Sequence, residues 1–163
     1  MIIIVTGTPG TGKSTIAKAV AKRLQCTYLD VNTVIDSYRL KTGYDKKRQA
    51  AIIDEKKLCR VLVSFIKKEK NLVIDSHLVA DLPAAHVDVC LVTKTDIHVL
   101  KERLEARGYS QAKVRENLDA EIFEVCHIEA REKKHNIIVV DTTQTSVDDA
   151  VDKVLNAIRA HKR

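Results

Sequence analysis

Gly7-Thr8-Pro9-Gly10-Thr11-Gly12-Lys13-Ser14 is the stretch that decides the fold. It is a complete G-x-x-x-x-G-K-[ST] motif, and each part has a physical task. Glycines let the backbone turn its N–H groups onto phosphate, and the N-terminus of a following helix adds positive partial charge. Lys13 can reach the β- and γ-phosphates, and the Ser14 hydroxyl can ligate Mg²⁺. A chance match in a chain of this length is roughly one in a hundred or less at average residue usage. The context also fits, because the β-branched run Ile2–Thr6 precedes the loop and a helical pattern over Ser14–Leu24 follows it. These residues predict ATP binding, with Gly10, Gly12, Lys13, Ser14 and Thr15 at the phosphates.

Outward from the loop, apolar runs of strand length recur at Thr27–Leu29, Leu72–Ile74, Val87–Val92 and Ile137–Val140. Between them the spacing predicts helices at about Thr33–Leu40, Asp54–Lys68, Asp96–Ala106, Gln111–Lys134 and Ser146–Ala160. Strands that are apolar throughout and alternate with helices indicate a parallel sheet covered on both faces. The expectation is one α/β domain spanning 1–163, a five-stranded parallel sheet with two small inserted lobes at about 30–53 and 103–113.

Bulk composition narrows the class. With 163 residues, 45% hydrophobic and 31% charged, the chain reads as a single globular, soluble unit with a real core. It has no apolar run of membrane-spanning length, and MIIIVTG enters the glycine loop directly, as a first strand rather than a signal peptide. The four cysteines lie more than thirty residues apart with no CxxC pair, which argues against a zinc or disulfide framework and for reduced thiols in the cytoplasm. A net charge of +6 permits an acidic or nucleic-acid partner, and 4% aromatics argues against base stacking as the main device.

The segment Leu72-Val-Ile-Asp75-Ser-His77 carries the second part of the site. P-loop proteins take an aspartate from a second strand to hold Mg²⁺, and Asp75 stands where that strand ends, at the sheet edge where ligands bind. On spacing alone, His77 is a surface residue following a strand.

Several stretches occurring in one order change that reading. GTPGTGKST, Gly43-Tyr44-Asp45, Ile52–Leu58, Asp75-Ser-His77, Arg103-Leu-Glu-Ala-Arg107-Gly-Tyr109 and Glu116–Val125 together resemble the adenylate kinase isoenzyme 6 family, whose eukaryotic member is also called coilin-interacting nuclear ATPase. The resemblance runs from Met1 to about Lys134. It implies a nucleoside-monophosphate-kinase fold with a short lid and an acceptor lobe, weak kinase activity on an AMP-like acceptor, and ATPase activity. It also implies work in maturation of the small ribosomal subunit, with a platform ribosomal protein as partner. The family's D-x-H element falls on Asp75 and His77, and an imidazole there could orient or deprotonate an attacking water. Arg107 resembles the lid arginine that contacts ATP phosphates during transfer, and Arg103 the arginine over the adenine. A solvated basic face is the plain alternative for both.

Two positions depart from the adenylate kinase pattern. The arginine that would hold the AMP phosphate is replaced by Asp36, with Arg39 a turn further on, and Glu121–Ala130 contains no arginine. Both weaken AMP as a dedicated acceptor. The basic run Lys46-Lys47-Arg48 suits either solvent or ribosomal RNA phosphates. A purely metabolic nucleoside-monophosphate kinase, converting ATP and AMP to ADP, is the competing reading. The basic end at Arg159, His161, Lys162 and Arg163 reads as a frayed helix tail.

Overall fold

Two glycine-loop neighbours, the strand before it and the helix after it, form the centre of the molecule. The computed structural model describes residues 1–79 and 81–161, so Lys162 and Arg163 of the basic tail lie outside the described residues. In chain order the elements are β1 (Ile2–Gly7), α1 (Lys13–Leu24), β2 (Thr27–Asp30), α2 (Val31–Ser37), β3 (Lys41–Asp45), β4 (Ala50–Ile53), α3 (Glu55–Lys68), β5 (Leu72–Asp75), β6 (Val89–Lys94), α4 (Ile97–Ala106), α5 (Gln111–Ile122), α6 (Val125–Glu132), β7 (Ile137–Asp141) and α7 (Val147–His161).

Five strands make one parallel sheet in the order β2-β5-β1-β6-β7. Strand β1 is central and wholly buried, as its unbroken run of isoleucines and valine requires. One face packs against α1 and α7 through Ile3, Val5, Val20, Val73, Leu91 and Val154. The opposite face packs Ile4, Leu58, Leu62, Ile74 and Val92. Order reverses beside β1, so the crevice opens at the carboxyl ends of β1 and β5, the place ligands take in such sheets.

Two sequence expectations need correction, and one element is new. The helix expected at Thr33–Leu40 begins at Val31, because the Asp30 carboxylate caps it by accepting the Asn32 amide at 2.8 Å. Residues 41–53 then form an antiparallel hairpin, β3 with β4, that the sequence does not announce. Its residues are exposed on both faces, so there is no buried side to write a period-2 pattern. Finally, the expected helix Gln111–Lys134 is two helices. The break falls at Phe123-Glu124, where Glu124 takes a left-handed φ of 51° and pairs with Lys94 at 2.7 Å. No glycine or proline marks it.

Candidate active site

The glycine loop is held from below by hydroxyls. Thr11 Oγ1 donates to the Thr8 carbonyl at 2.7 Å and lies 2.7 Å from Thr93 Oγ1, all three residues being buried. Gly10 sits at φ +94°, and a Cβ there would lie 2.7 Å from a Leu100 methyl. Gly12, at φ +84°, is the N-cap of α1 and offers no side chain to the first-turn amides. Those amides, at the positive end of α1, are therefore free of a side-chain cap.

Lys13 follows directly. Burial pushes its pKa below the ordinary lysine value, and Arg107 adds to this, while Asp75, Cys126 and Asp30 pull it back up. An arriving phosphate anion would favour the charged form of this desolvated ammonium. Asp75 is buried at the end of β5, aligned with Asp30 at the end of β2 and with Val5 of β1. Its Oδ2 accepts the Tyr28 hydroxyl at 2.8 Å. Ser14 is exposed at the start of α1, beside the same phenol.

His77 stands just beyond. The chain continues β5 by one bond, Ser76 N to the Val5 carbonyl at 3.1 Å, and the Ser76 hydroxyl accepts the Leu78 amide at 3.0 Å. This turn sets the imidazole at the crevice wall, open to solvent on its own surface yet ringed by protein at longer range. That surrounding protein lowers its pKa, the Lys13 charge lowers it further, and Asp75 opposes both. The neutral ring is therefore favoured.

The two arginines differ sharply. Arg103 is anchored: its guanidinium donates to the Gly10 carbonyl at 3.3 Å, to Thr142 Oγ1 at 3.3 Å and to the Thr142 carbonyl at 2.9 Å. Arg107, the C-cap of α4, is exposed, and its guanidinium has no hydrogen-bond or ion-pair partner among the described residues. Both line a cavity of about 400 Å³ with Gly10, Gly12, Thr15 and Thr142, a size suited to a small organic ligand.

Residues that sequence reasoning missed complete the picture. Thr142, Thr145 and Val147, in the turn from β7 to α7, form the cavity's far wall. Glu121 of α5 joins the Thr8 hydroxyl and the Thr95 amide at 2.6 and 2.9 Å. Tyr28 touches Asp75. Glu121 falls inside the Glu116–Val125 stretch that carries the family resemblance, whereas no motif spacing signals the others. At the opposite side, Asp36 pairs with Lys41 at 2.7 Å, Arg115 pairs with Asp119 at 3.1 Å, and Arg39 is exposed with a φ of 51°. Arg48 at the hairpin tip reaches Glu116 of α5 at 3.3 Å, and Lys113 of α5 donates to the Gln49 carbonyl at 3.3 Å.

Asp75 and Ser14 offer hard oxygen donors of the kind Mg²⁺ takes, one carboxylate and one hydroxyl with room for waters and phosphate oxygens. Among the described residues, no three His, Cys, Asp or Glu side chains gather as a self-contained metal cage. No described helix is long and apolar enough to cross a membrane.

A parallel sheet with a glycine loop entering α1 defines the class as a P-loop kinase fold. Solved structures agree: shikimate kinase from Acinetobacter baumannii, in complex with shikimate, has a TM-score of 0.70 at 16% identity, covering 99% of this chain and 94% of that one. Deoxyadenosine kinase from M. mycoides has a TM-score of 0.64 at 16% identity, covering 98% and 100%. A family model described as AAA domain matches residues 3–124. The "putative adenylate kinase" of Methanocaldococcus jannaschii is 37% identical over 163 residues, covering 100% of this chain and 88% of that protein. The adenylate kinase isoenzyme 6 homologue of Dictyostelium discoideum is 37% identical over 147 residues, covering 90% and 83%. The chain belongs to this adenylate-kinase-like nucleotide kinase family.

Proposed function

We propose that this protein transfers the γ-phosphoryl group of ATP, with Mg²⁺, to an AMP-like acceptor and also to water. The observation that carries the reading is the glycine loop opening α1 at Lys13, with Asp75 buried at the end of β5 in register with Val5 of β1, and with Arg103 and Arg107 lining one cavity with Gly10, Gly12 and Thr15. Lys13 and the unpartnered Arg107 stabilise the equatorial oxygens of the transferred group as the bond to ADP breaks. Magnesium, when bound, neutralises phosphate charge, and Ser14 and Asp75 are the residues that would hold it. Arg103 and the turn at Thr142 and Thr145 flank the nucleotide.

His77 gives the site its second activity. A neutral imidazole can orient a water in line with the γ-phosphorus and accept its proton, leaving inorganic phosphate and ADP. The acceptor side favours low selectivity for AMP, since Asp36 is paired with Lys41 and Arg115 with Asp119. Residues 30–53 form the acceptor lobe in this reading, and 103–113 the lid.

The same reading places the chain's work in the cytoplasm, in maturation of the small ribosomal subunit (rRNA processing), with a platform ribosomal protein as partner. Supporting it are the likeness to the isoenzyme 6 homologue and the basic hairpin tip Lys46-Lys47-Arg48, which suits RNA phosphates. Affinity capture from native lysate, with and without ATP, tests it. Nucleotide-dependent recovery of a small-subunit ribosomal protein is expected, and its absence in both conditions would leave a metabolic nucleoside-monophosphate kinase.

A further inference from the structure

Tyr28 has no part in any motif, yet its hydroxyl makes a hydrogen bond to the most buried carboxylate of the crevice. The phenol donates to Asp75 Oδ2 at 2.8 Å, and Ser14 lies beside the phenol oxygen. We propose that Tyr28 is a positioning residue for the magnesium–nucleotide complex, fixing the Asp75 carboxylate relative to the Ser14 hydroxyl.

The sheet register explains how one tyrosine reaches both. Tyr28 of β2 is aligned with Val73 of β5, and Asp75 lies two residues further along the same strand, on the same face. That face is the one α1 covers, so the first turn of α1, with Ser14, closes over the phenol. The ring is itself held in place. It packs against the core cluster of Val5, Val20 and Val73, and the Lys18 ammonium lies 5.5 Å from its centroid. A hydroxyl on so constrained a ring has little freedom to leave Asp75.

The chemistry follows from what a carboxylate can do with two oxygens. The phenol occupies Oδ2, and the described contacts assign no protein donor to Oδ1. A charge-assisted bond to Oδ2 biases the carboxylate toward offering its other oxygen to a cation. It then serves as a single-oxygen donor, the binding mode that suits a small octahedral cation with several retained waters. Without the phenol, Asp75 keeps its charge and loses its orientation. The metal would then bind less tightly in the ternary complex, while contacts to the nucleotide itself are untouched.

This inference rests on the magnesium–nucleotide reading of the site, and the experiment separates the two. The variant is Tyr28→Phe, which keeps the ring and its packing. The probe is Mn²⁺ with a non-hydrolysable ATP analogue. Bound Mn²⁺ is counted by electron paramagnetic resonance, and analogue affinity is measured by calorimetry with and without metal. Tyr28→Phe is expected to weaken metal retention about tenfold, the effect of one hydrogen bond to a charged group, with metal-free analogue affinity unchanged. Asp75→Asn on the same day supplies the reference. Wild-type metal retention in Tyr28→Phe, with Asp75→Asn impaired, overturns the inference alone. Equal losses with and without metal overturn it too, as the mark of a structural role. Wild-type retention in both variants overturns the magnesium reading itself. On the wild-type protein, Mn²⁺ with the analogue should broaden the Tyr28 ring resonance selectively among the four tyrosines, and an unbroadened Tyr28 would contradict the proposal without any variant.

Discussion

Glu121 Oε2 accepts the Thr8 hydroxyl at 2.6 Å, tying helix α5 directly to the phosphate loop. The other oxygen accepts the Thr95 amide at 2.9 Å, at the end of β6. A single carboxylate thus joins three segments that meet at the crevice. Glu121→Ala should lower stability by about 2 kcal/mol, because the Thr8 hydroxyl and the part-buried Thr95 amide both lose their charged acceptor. Glu121→Gln, which keeps one acceptor, should cost less. Urea denaturation measures both, and equal midpoints for the wild type and the alanine variant would show the bridge to be energetically idle.

Lys13→Ala and Asp75→Asn should each reduce phosphoryl transfer more than a hundredfold, to AMP and to water alike. Both residues act on the transferred group or its metal rather than on either acceptor. The check is ADP formation with AMP and phosphate release without it. Activity within a few-fold of wild type in either variant would remove that residue from the chemistry.

The two arginines should part company. Arg103 bonds Gly10 and Thr142 before any ligand arrives, so Arg103→Ala should loosen the cavity wall, weaken ATP binding and lower the melting temperature. Arg107 is unpartnered, so Arg107→Ala should leave melting unchanged and reduce turnover far more than ATP affinity. Steady-state kinetics beside thermal melts decides it. A fall in binding alone for both variants would contradict the distinction.

His77 should separate the two reactions. Its pKa is lowered by the surrounding protein and by Lys13, so the base form persists at neutral pH. Hydrolysis should hold level through pH 7 and fall only on the acid side, below about pH 6.5, the unperturbed histidine value. His77→Ala should abolish that acid limb and lower hydrolysis by ~10²-fold, while transfer to AMP, which brings its own nucleophile, falls less. Equal losses in the two reactions would assign His77 to general support of the crevice.

Much of the architecture is legible because burial writes it into the chain. Ile2–Val5, Leu72–Ile74 and Cys90–Val92 are buried on both faces and therefore read as continuous apolar runs. The β3–β4 hairpin and the break at Glu124 leave no such trace. One is exposed on both faces, and the other depends on a left-handed turn and a Lys94 contact distant in sequence. The same division holds at the crevice. Lys13, Ser14 and Asp75 fall at fixed offsets from strand ends, whereas Tyr28, Glu121 and Thr142 reach it through register and loop packing, which only the folded chain supplies.

The most direct test of the central claim follows the labelled γ-phosphoryl group. The purified chain is incubated with γ-labelled ATP, Mg²⁺ and AMP, and the products are separated. Label should appear in ADP formed from AMP and in inorganic phosphate, and Lys13→Ala should abolish both. Label remaining in ATP throughout, with the wild-type protein folded and binding nucleotide, would contradict the account.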